Sequence, residues 1–206
     1  MAVNILDCTL RDGGYYNNWD FSLDLIQRYL DAIGDAAISH CELGFRGLRV
    51  PGFGSVCAHT PDWVLEQLSI PDHLKICVMV NVSDLLVTDD PISILSQLFK
   101  PKQECKVDIV RLAFHSAQVD AAIEAGNWLK ESGYEVGLNL MQVACISEIE
   151  LGHVAQKVSE HCEPLALYVA DSTGSLVPEQ IARIIKALTS IVDVPVGVHM
   201  HDNLGL

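Results

Sequence analysis

Short runs of β-branched and other apolar residues recur along the chain, and amphipathic segments separate them. This alternation is typical of repeated strand–helix units, and it restricts the fold more than any other feature of the sequence. The centres of the runs lie roughly 28–36 residues apart, about the length of a strand, a helix and two loops. The runs predict seven strands, near residues 3–10, 40–46, 75–81, 107–114, 135–142, 165–170 and 195–201.

Candidate helix starts lie between the predicted strands. Ser22 precedes an apolar stripe, and Ser147 with Glu150 has the spacing of a capping box. Thr60 and Asp90 each precede a proline, which predicts a side-chain cap followed by a first-turn proline. The remaining signals are the stripe itself (Leu23, Ile26, Leu30, Ile33), a helix opened by Ser116 and closed by Gly133, and a last helix starting at Pro178.

This alternation leaves two architectures, the eight-stranded TIM barrel and the open doubly wound sheet. The first predicted strand runs into RDGGY (residues 11–15) without a dinucleotide-binding glycine fingerprint, which favours the barrel. Eight units at this spacing need about 250 residues, whereas the chain has 206. We therefore expect an α/β barrel of the TIM type that forms one domain over residues 1–206, is truncated after the seventh strand and lacks the eighth unit.

Composition restricts the partners. With 27 acidic against 13 basic residues the net charge is −14, which disfavours nucleic acid and anionic membrane surfaces. The seven cysteines are odd in number and form no Cys-x-x-Cys pair, which is typical of a reducing compartment. The sequence has no recognisable leader and no apolar run of membrane-spanning length. We expect a soluble, cytoplasmic protein, and a homo-oligomer or a further domain beyond Leu206 stays open.

Polar residues follow the predicted strands, and in a barrel the carboxyl ends of the strands build the active site. Singly, most of them are explained as well by a solvated loop or a helix cap, but their recurrence at one rim favours a site. They are Arg11, Asp12, Glu42, Arg46, Asn81, His115, Asn139, Gln142, Asp171, Ser172, Thr173, His199 and His201.

A metal site is predicted at this rim. His199 and His201 have the spacing that directs both rings to one face of a strand. The first and seventh strands can share a layer of the barrel, so Asp12 can complete a site that suits Mn²⁺, Mg²⁺, Zn²⁺ or Fe²⁺. Arg11 and Asp12 are adjacent, so the first strand must end or bulge there, and Gly13-Gly14 is expected to supply the conformational freedom.

Four segments carry a family resemblance. LDCTLRDG (residues 6–13) and HMHDNLG (199–205) resemble the paired signatures of the metal-dependent aldolase/lyase/synthase superfamily, which includes 3-hydroxy-3-methylglutaryl-CoA lyase, isopropylmalate synthase and 4-hydroxy-2-oxovalerate aldolase. DSTG (171–174) resembles the superfamily's sixth-strand motif, and VRLAFH (110–115) is similar to the fourth strand of the hydroxy-oxovalerate aldolases. The resemblance spans all 206 residues.

The resemblance implies a carbon–carbon lyase acting on a 2-oxo acid, with Mn²⁺ or Mg²⁺ as the preferred ion. It implies that Asp12, His199 and His201 bind the metal, and that Arg11 neutralises an enolate oxygen. Cation and guanidinium would together stabilise the charge that develops on a pyruvate-type enolate. The predicted catalytic residues are therefore Arg11, Asp12, Tyr15 and His115, and the predicted substrate-binding residues are Glu42, Arg46, Asn139, Ser172 and Thr173.

The sequence departs from the hydroxy-oxovalerate aldolases after the first strand, where Tyr15 aligns with their catalytic histidine. A phenol is a poor base at neutral pH, so Tyr15 or Tyr16 is predicted as an acid, with His115 or metal-bound water as the base, unless the substrate differs. Arg46 and Arg49, in the glycine-containing stretch 44–54, suit either an anionic substrate group or a solvated loop.

Three other functions remain open at this point. A Claisen-type acyl-CoA synthase shares the fold, and Asp202-Asn203 slightly favours it. A non-haem Fe(II) oxygenase shares the ligand set of two histidines and one carboxylate. A truncated barrel without catalytic activity is the third alternative.

Overall fold

The computed structural model describes residues 3–48 and 55–205. Its strands, in chain order, are β1 (Leu6–Asp7), β2 (His40–Phe45), β3 (Lys75–Asn81), β4 (Ile109–Phe114), β5 (Glu135–Leu140), β6 (Ala166–Asp171) and β7 (Val196–Met200). Its helices are α1 (Thr9–Gly13), α2 (Leu23–Asp35), α3 (Val56–His59), α4 (Asp62–Gln67), α5 (Val82–Leu85), α6 (Pro91–Leu98), α7 (Val119–Glu131), α8 (Glu148–His161) and α9 (Pro178–Thr189). Among these helices, none has the length and apolar character needed to cross a membrane.

The chain separates into two compact units that interleave along the sequence. The first lies within residues 1–80, 93–110 and 132–134, and the second within 81–92, 111–131 and 135–206. Strands follow one another in sequence order, with β4 running through the boundary between the two sets of residues. This order matches the predicted barrel and differs from that of a doubly wound sheet, in which the order reverses. The prediction of a single domain stays a prediction.

The first unit pairs β1 with β2 and β2 with β3, in both cases in parallel. Helix α2 begins as predicted, because the Ser22 side chain accepts a hydrogen bond from the N–H of Leu25. Ile26, Leu30 and Ile33 of the predicted stripe are buried. Burial of each such side chain stabilises the fold by about 1.5–3 kcal/mol.

The second unit pairs β5 with β6 and β6 with β7 in parallel. Residues 111–114, the part of β4 in this unit, are buried, as expected of a strand covered on both faces. The predicted capping box at Ser147 and Glu150 is confirmed, since each side chain accepts a hydrogen bond from the other residue's N–H. Helix α9 starts at Pro178, as predicted.

Three local predictions were wrong. The first strand was expected to reach residue 10, but it ends at Asp7 and the chain enters α1 at Thr9, so Arg11 and Asp12 lie on a helical turn. Gly13 and Gly14 have φ angles of −62° and −61°, which any residue can adopt, so they supply no special backbone freedom. The third error concerns Thr60, which was expected to cap a helix that starts at Pro61. Thr60 instead adopts a left-handed conformation at the end of α3, and Pro61 precedes α4 without a side-chain cap.

Candidate functional site

Arg11 and Asp12, in the first unit, lie on α1 directly after β1. The Asp12 N–H donates to the carbonyl of Cys8 at 2.9 Å, and Nη1 of Arg11 donates to Oδ1 of Asp12. The Cys8 thiol lies 3.4 Å from Oδ2 of Asp12. Arg11 is buried, whereas 26% of the Asp12 side chain is exposed. The turn therefore holds a partly accessible carboxylate against a buried guanidinium.

A buried ion pair fixes Arg11. Its Nε donates to Oε1 of Glu42 at 2.6 Å, and Glu42 is completely buried. Burial alone would lower the pKa of Arg11, but the charges of Glu42 and Asp12 raise it above its ordinary value, so the guanidinium stays charged. Within residues 3–48 and 55–205, Nη2 of Arg11 has no hydrogen-bond partner. Glu42, predicted to contact the substrate, is thus the counter-ion of Arg11.

The thiol of Cys8 stays protonated beside this pair. Burial raises the pKa of Cys8 to about 12. The charge of Arg11 acts to lower this pKa, and the carboxylates of Asp12 and Glu42 act to raise it. The thiol is therefore a neutral hydrogen-bond donor to Asp12 at physiological pH.

Tyr15 and Tyr16 lie in a short 3₁₀ turn that follows α1. Tyr15 is 64% exposed and packs edge-on against Trp19, with ring centroids 4.8 Å apart. Tyr16 is almost fully exposed. This accessibility is compatible with the predicted acid role of a tyrosine, which stays a prediction.

Arg46 is bound to protein groups on several sides. Its Nη2 donates to the carbonyl of Thr60 (2.7 Å) and to Oδ1 of Asp62 (2.8 Å), and its guanidinium carbon lies 5.2 Å from the ring centroid of Phe99. The side chain is buried. A role in substrate binding would require Arg46 to release these partners. Arg49 and the rest of the stretch 49–54 lie outside the described residues.

The histidine pair belongs to the second unit. His199 lies on β7 and His201 follows the end of that strand, with ring centroids 5.2 Å apart. His199 is half-buried and His201 exposed. In the parallel register His199 faces Ala170, a small residue on β6. The two imidazole rings lie close together, as their spacing predicted, and their role in binding a ligand stays a prediction.

The loop after β6 is organised around the buried carboxylate of Asp171. Its oxygens accept hydrogen bonds from the N–H of Leu176 (2.7 Å) and the hydroxyl of Thr173 (2.9 Å). Burial acts to raise the pKa of Asp171, but these hydrogen bonds hold it below its ordinary value. Ser172 accepts a weak hydrogen bond from the N–H of Gln142. Thr173 and Ser172, predicted to contact the substrate, therefore also hold the loop.

Asn139 lies beside a buried cation that the sequence analysis did not single out. Nη2 of Arg111 donates to Oδ1 of Asn139 at 2.6 Å, and its guanidinium carbon lies 4.3 Å from the ring centroid of Tyr168. A Cβ atom at Gly197 would lie 2.3 Å from Cδ1 of Tyr168, and one at Gly137 would lie 3.0 Å from Cγ of Arg111. The lone arginine within the apolar run of β4 was the available signal for this cluster.

His115 follows β4 and is exposed. Its backbone N–H donates to the side chain of Gln118, so the residue begins a short 3₁₀ turn.

Trp19 is a second residue that the sequence analysis missed. Its contacts depend on how the chain folds back on α1, and they leave no pattern in the sequence.

Known proteins resemble this chain along its whole length. The HMGL-like family model matches residues 2–206. A curated 4-hydroxy-2-oxovalerate aldolase from Geobacillus genomosp. 3 is 27% identical over 206 residues, which cover 100% of this chain and 59% of the relative. One from Brevibacillus brevis is 26% identical over 205 residues and is covered to 58%. The chain thus spans less than two thirds of the length of these relatives.

Solved structures share the fold. An N-terminal domain from Bacteroides vulgatus matches with a TM-score of 0.86 and 32% identity, over 98% of this chain and 65% of that chain. The HMG-CoA lyase of Bacillus subtilis matches with a TM-score of 0.72 and 12% identity, over 97% of this chain and 68% of that chain. The strand order and these neighbours establish the predicted TIM-barrel type of fold.

Proposed function

Because the chain belongs to the HMGL-like family, we propose that it forms the catalytic part of a carbon–carbon lyase, an aldolase that acts on a 2-oxo acid. The observation that carries this proposal is the fixed charge of Arg11. This guanidinium is buried, held by Glu42 and Asp12, and retains an Nη2 group with no partner among the described residues. Such a group is suited to neutralise negative charge that develops on an enolate oxygen.

We propose that Asp12, His199 and His201 hold one divalent ion, with Mn²⁺ or Mg²⁺ ahead of Zn²⁺ or Fe²⁺. The donor set fits, because two imidazoles and a carboxylate form a common site with open positions for substrate oxygens. The close histidine rings and the partly exposed Asp12 carboxylate support it. When bound, the ion supplies Lewis-acid polarisation of the substrate carbonyl.

The protein's own residues would then divide the remaining work. Arg11 would bind the keto oxygen through Nη2 while Glu42 keeps the guanidinium from turning. The exposed Tyr15 and His115 are the candidate acid and base. Ser172, Thr173 and Asn139 are candidate substrate contacts, and Arg46 is the weakest candidate because its guanidinium is bound to Thr60 and Asp62.

The test is an assay of 2-oxo acid release from a panel of 4-hydroxy-2-oxo acids under anaerobic conditions, with Mn²⁺ and with chelator. We expect release that requires the ion and is lost in His199→Ala and His201→Ala. His153→Ala is the matched control, since His153 is an exposed residue of α8 outside the site. Metal-independent release, or unchanged release in both histidine variants, would reject the metal assignment.

Repeating the assay with an acyl-CoA added, and in air with Fe²⁺, separates the alternatives. Turnover that requires an acyl-CoA and proceeds in the condensing direction would identify a Claisen-type synthase. Turnover that requires O₂ and Fe²⁺ would identify an oxygenase. Absence of both metal binding and turnover would favour a barrel without catalytic activity.

A further inference from the structure

The indole of Trp19 closes the turn that carries Arg11 and Asp12. Its Nε1–H donates to the backbone carbonyl of Arg11 at 2.7 Å. Its ring packs edge-on against Phe45, with centroids 5.4 Å apart, and Phe45 lies 5.8 Å from the guanidinium carbon of Arg11. The indole therefore contacts the backbone of Arg11 directly, and Phe45 lies beside both the indole and the Arg11 guanidinium.

Gly14 makes room for this indole. A Cβ atom at position 14 would lie 1.9 Å from Cδ1 and 2.2 Å from Nε1 of Trp19. Gly14 is also joined to Trp19 through the backbone, since the Trp19 N–H donates to the Gly14 carbonyl at 2.9 Å. Its φ angle of −61° is open to every residue, so the requirement for glycine here is close approach of the ring.

The backbone around Trp19 is strained. Asn18 and Trp19 both have a φ angle of +56°, a region that bulky residues seldom adopt. Such conformations persist only where surrounding contacts enforce them, and they concentrate at functional sites. Here Ser55 supplies one such contact, because its hydroxyl donates to the Asn18 carbonyl at 2.5 Å. The indole contacts to Arg11 and Gly14 supply further ones.

We propose that Trp19 is a positioning residue that fixes the α1 turn so that Arg11 and Asp12 keep their catalytic geometry. This inference rests on the proposed function for its kinetic consequence. It rests on the hydrogen bond, the ring contacts and the strained backbone for its structural content. A displacement of about 1 Å at such a turn is enough to reduce turnover by about 100-fold.

Two variants remove the contact in different ways. Trp19→Phe keeps an aromatic ring but deletes the N–H donor. Gly14→Ala keeps the indole but displaces it, and the backbone at position 14 accepts alanine. Trp63→Phe is the matched control, because Trp63 is a half-exposed residue of α4 and the substitution is the same.

We expect Trp19→Phe and Gly14→Ala each to lower kcat by about 10- to 100-fold with little change in KM. Calorimetric titration should show weaker Mn²⁺ binding in both variants, and NMR should show about tenfold faster hydrogen exchange of the Arg11 Nε–H. In a Trp19→Ala background, Gly14→Ala should have little further effect, since its target is gone. Trp63→Phe should change none of these quantities.

The outcomes distinguish this inference from the proposed function. If wild-type protein releases no 2-oxo acid, the proposed function fails, and the exchange of the Arg11 Nε–H still tests the positioning role. Unchanged exchange in Trp19→Phe overturns the inference, whatever the activity. A lower melting temperature with unchanged exchange, kcat and Mn²⁺ affinity would also overturn it, because Trp19 would then serve stability alone.

Discussion

The α1 turn and strand β7 hold their proposed functional side chains in different environments. On the turn, Arg11 is 5% exposed and ion-paired with the completely buried Glu42. On β7, by contrast, every residue from Val196 to Met200 is half-buried or exposed, and Val198 is 48% exposed. The helix that precedes β7 is also little buried. In α9 the buried residue is Leu188, whereas α7 buries residues along a whole face.

This difference teaches how the two kinds of functional group are prepared. A guanidinium that must stay charged and oriented gains from burial beside carboxylates, because its partners fix both its charge and its direction. An imidazole that must accept a metal needs access and the neutral form. We therefore expect substitutions on the turn to affect stability and activity together, and substitution of His199 on β7 to affect metal binding and activity with little change in stability.

The largest effect is expected for Glu42→Ala. This variant removes the completely buried partner of Arg11 and leaves the partly exposed Asp12 as its remaining carboxylate partner, which should lower the free energy of unfolding by about 3–5 kcal/mol. The control is Asp120→Ala, which breaks the ion pair between Asp120 and Lys157. The Asp120 side chain is 77% exposed, so this variant should lower the free energy of unfolding by about 0–1 kcal/mol. Urea unfolding measures both. Equal costs would show that burial does not strengthen the pair on the turn.

Arg11→Lys should separate charge from geometry. A lysine keeps the positive charge but cannot make the forked contacts of a guanidinium, so turnover should fall by about 100-fold while most of the Mn²⁺ affinity is retained. Steady-state kinetics and calorimetry measure the two quantities, with the exposed Arg28→Lys as the control. Wild-type turnover in Arg11→Lys would remove Arg11 from the mechanism.

Stability is expected to depend on pH through Asp171, which lies in the second unit. The folded-state pKa of Asp171 lies below its ordinary value, so its contribution to stability is present above about pH 4 and is lost as the pH falls through the folded-state pKa. Asp171→Asn should cost about 1 kcal/mol at neutral pH and make unfolding less sensitive to acid. Urea unfolding between pH 7 and pH 3 checks this, with the exposed Asp193→Asn as the control. An unchanged acid sensitivity would contradict the assignment.

The smallest change in stability is expected for His199→Ala. The ring is half-buried on a strand with modest burial, so the free energy of unfolding should change by no more than about 0.5 kcal/mol. Mn²⁺ affinity, measured by calorimetry, should nevertheless be lost. A loss of several kcal/mol would show that β7 depends on His199 for packing, and the contrast with the α1 turn would disappear.

The sequence predicted the strands well where apolar runs were long, as in β3, which matches the prediction of residues 75–81. The prediction for the first strand was wrong because periodicity could not show that the chain enters a helical turn at Thr9, where a local hydrogen bond from Asp12 to Cys8 competes with strand pairing. Such local competition is decided by tertiary contacts.

In the candidate site, too, features that depend on sequence neighbours could be predicted, and features that depend on the folded chain could not. Motifs and parity identified Arg11, Asp12 and the histidine pair, because these depend on neighbours within a few residues. The pairing of Arg11 with Glu42 spans 31 positions, and it required the register of β1 and β2. The glycine at position 14 was noticed for a conformational freedom that the structure does not use, and its actual role, contact with the Trp19 ring, depends on the folded chain.

The ring of Tyr168 occupies space that two neighbouring strands leave open. A Cβ atom at Gly197 would lie 2.3 Å from this ring, and one at Gly137 would lie 3.1 Å from it. We therefore expect the three positions to vary together among homologous chains, since a larger residue at 197 requires a smaller one at 168. Among homologous chains we expect the pairs tyrosine with glycine, and small aliphatic residue with alanine, to be common at positions 168 and 197. Mixed pairs of tyrosine and alanine should be rare.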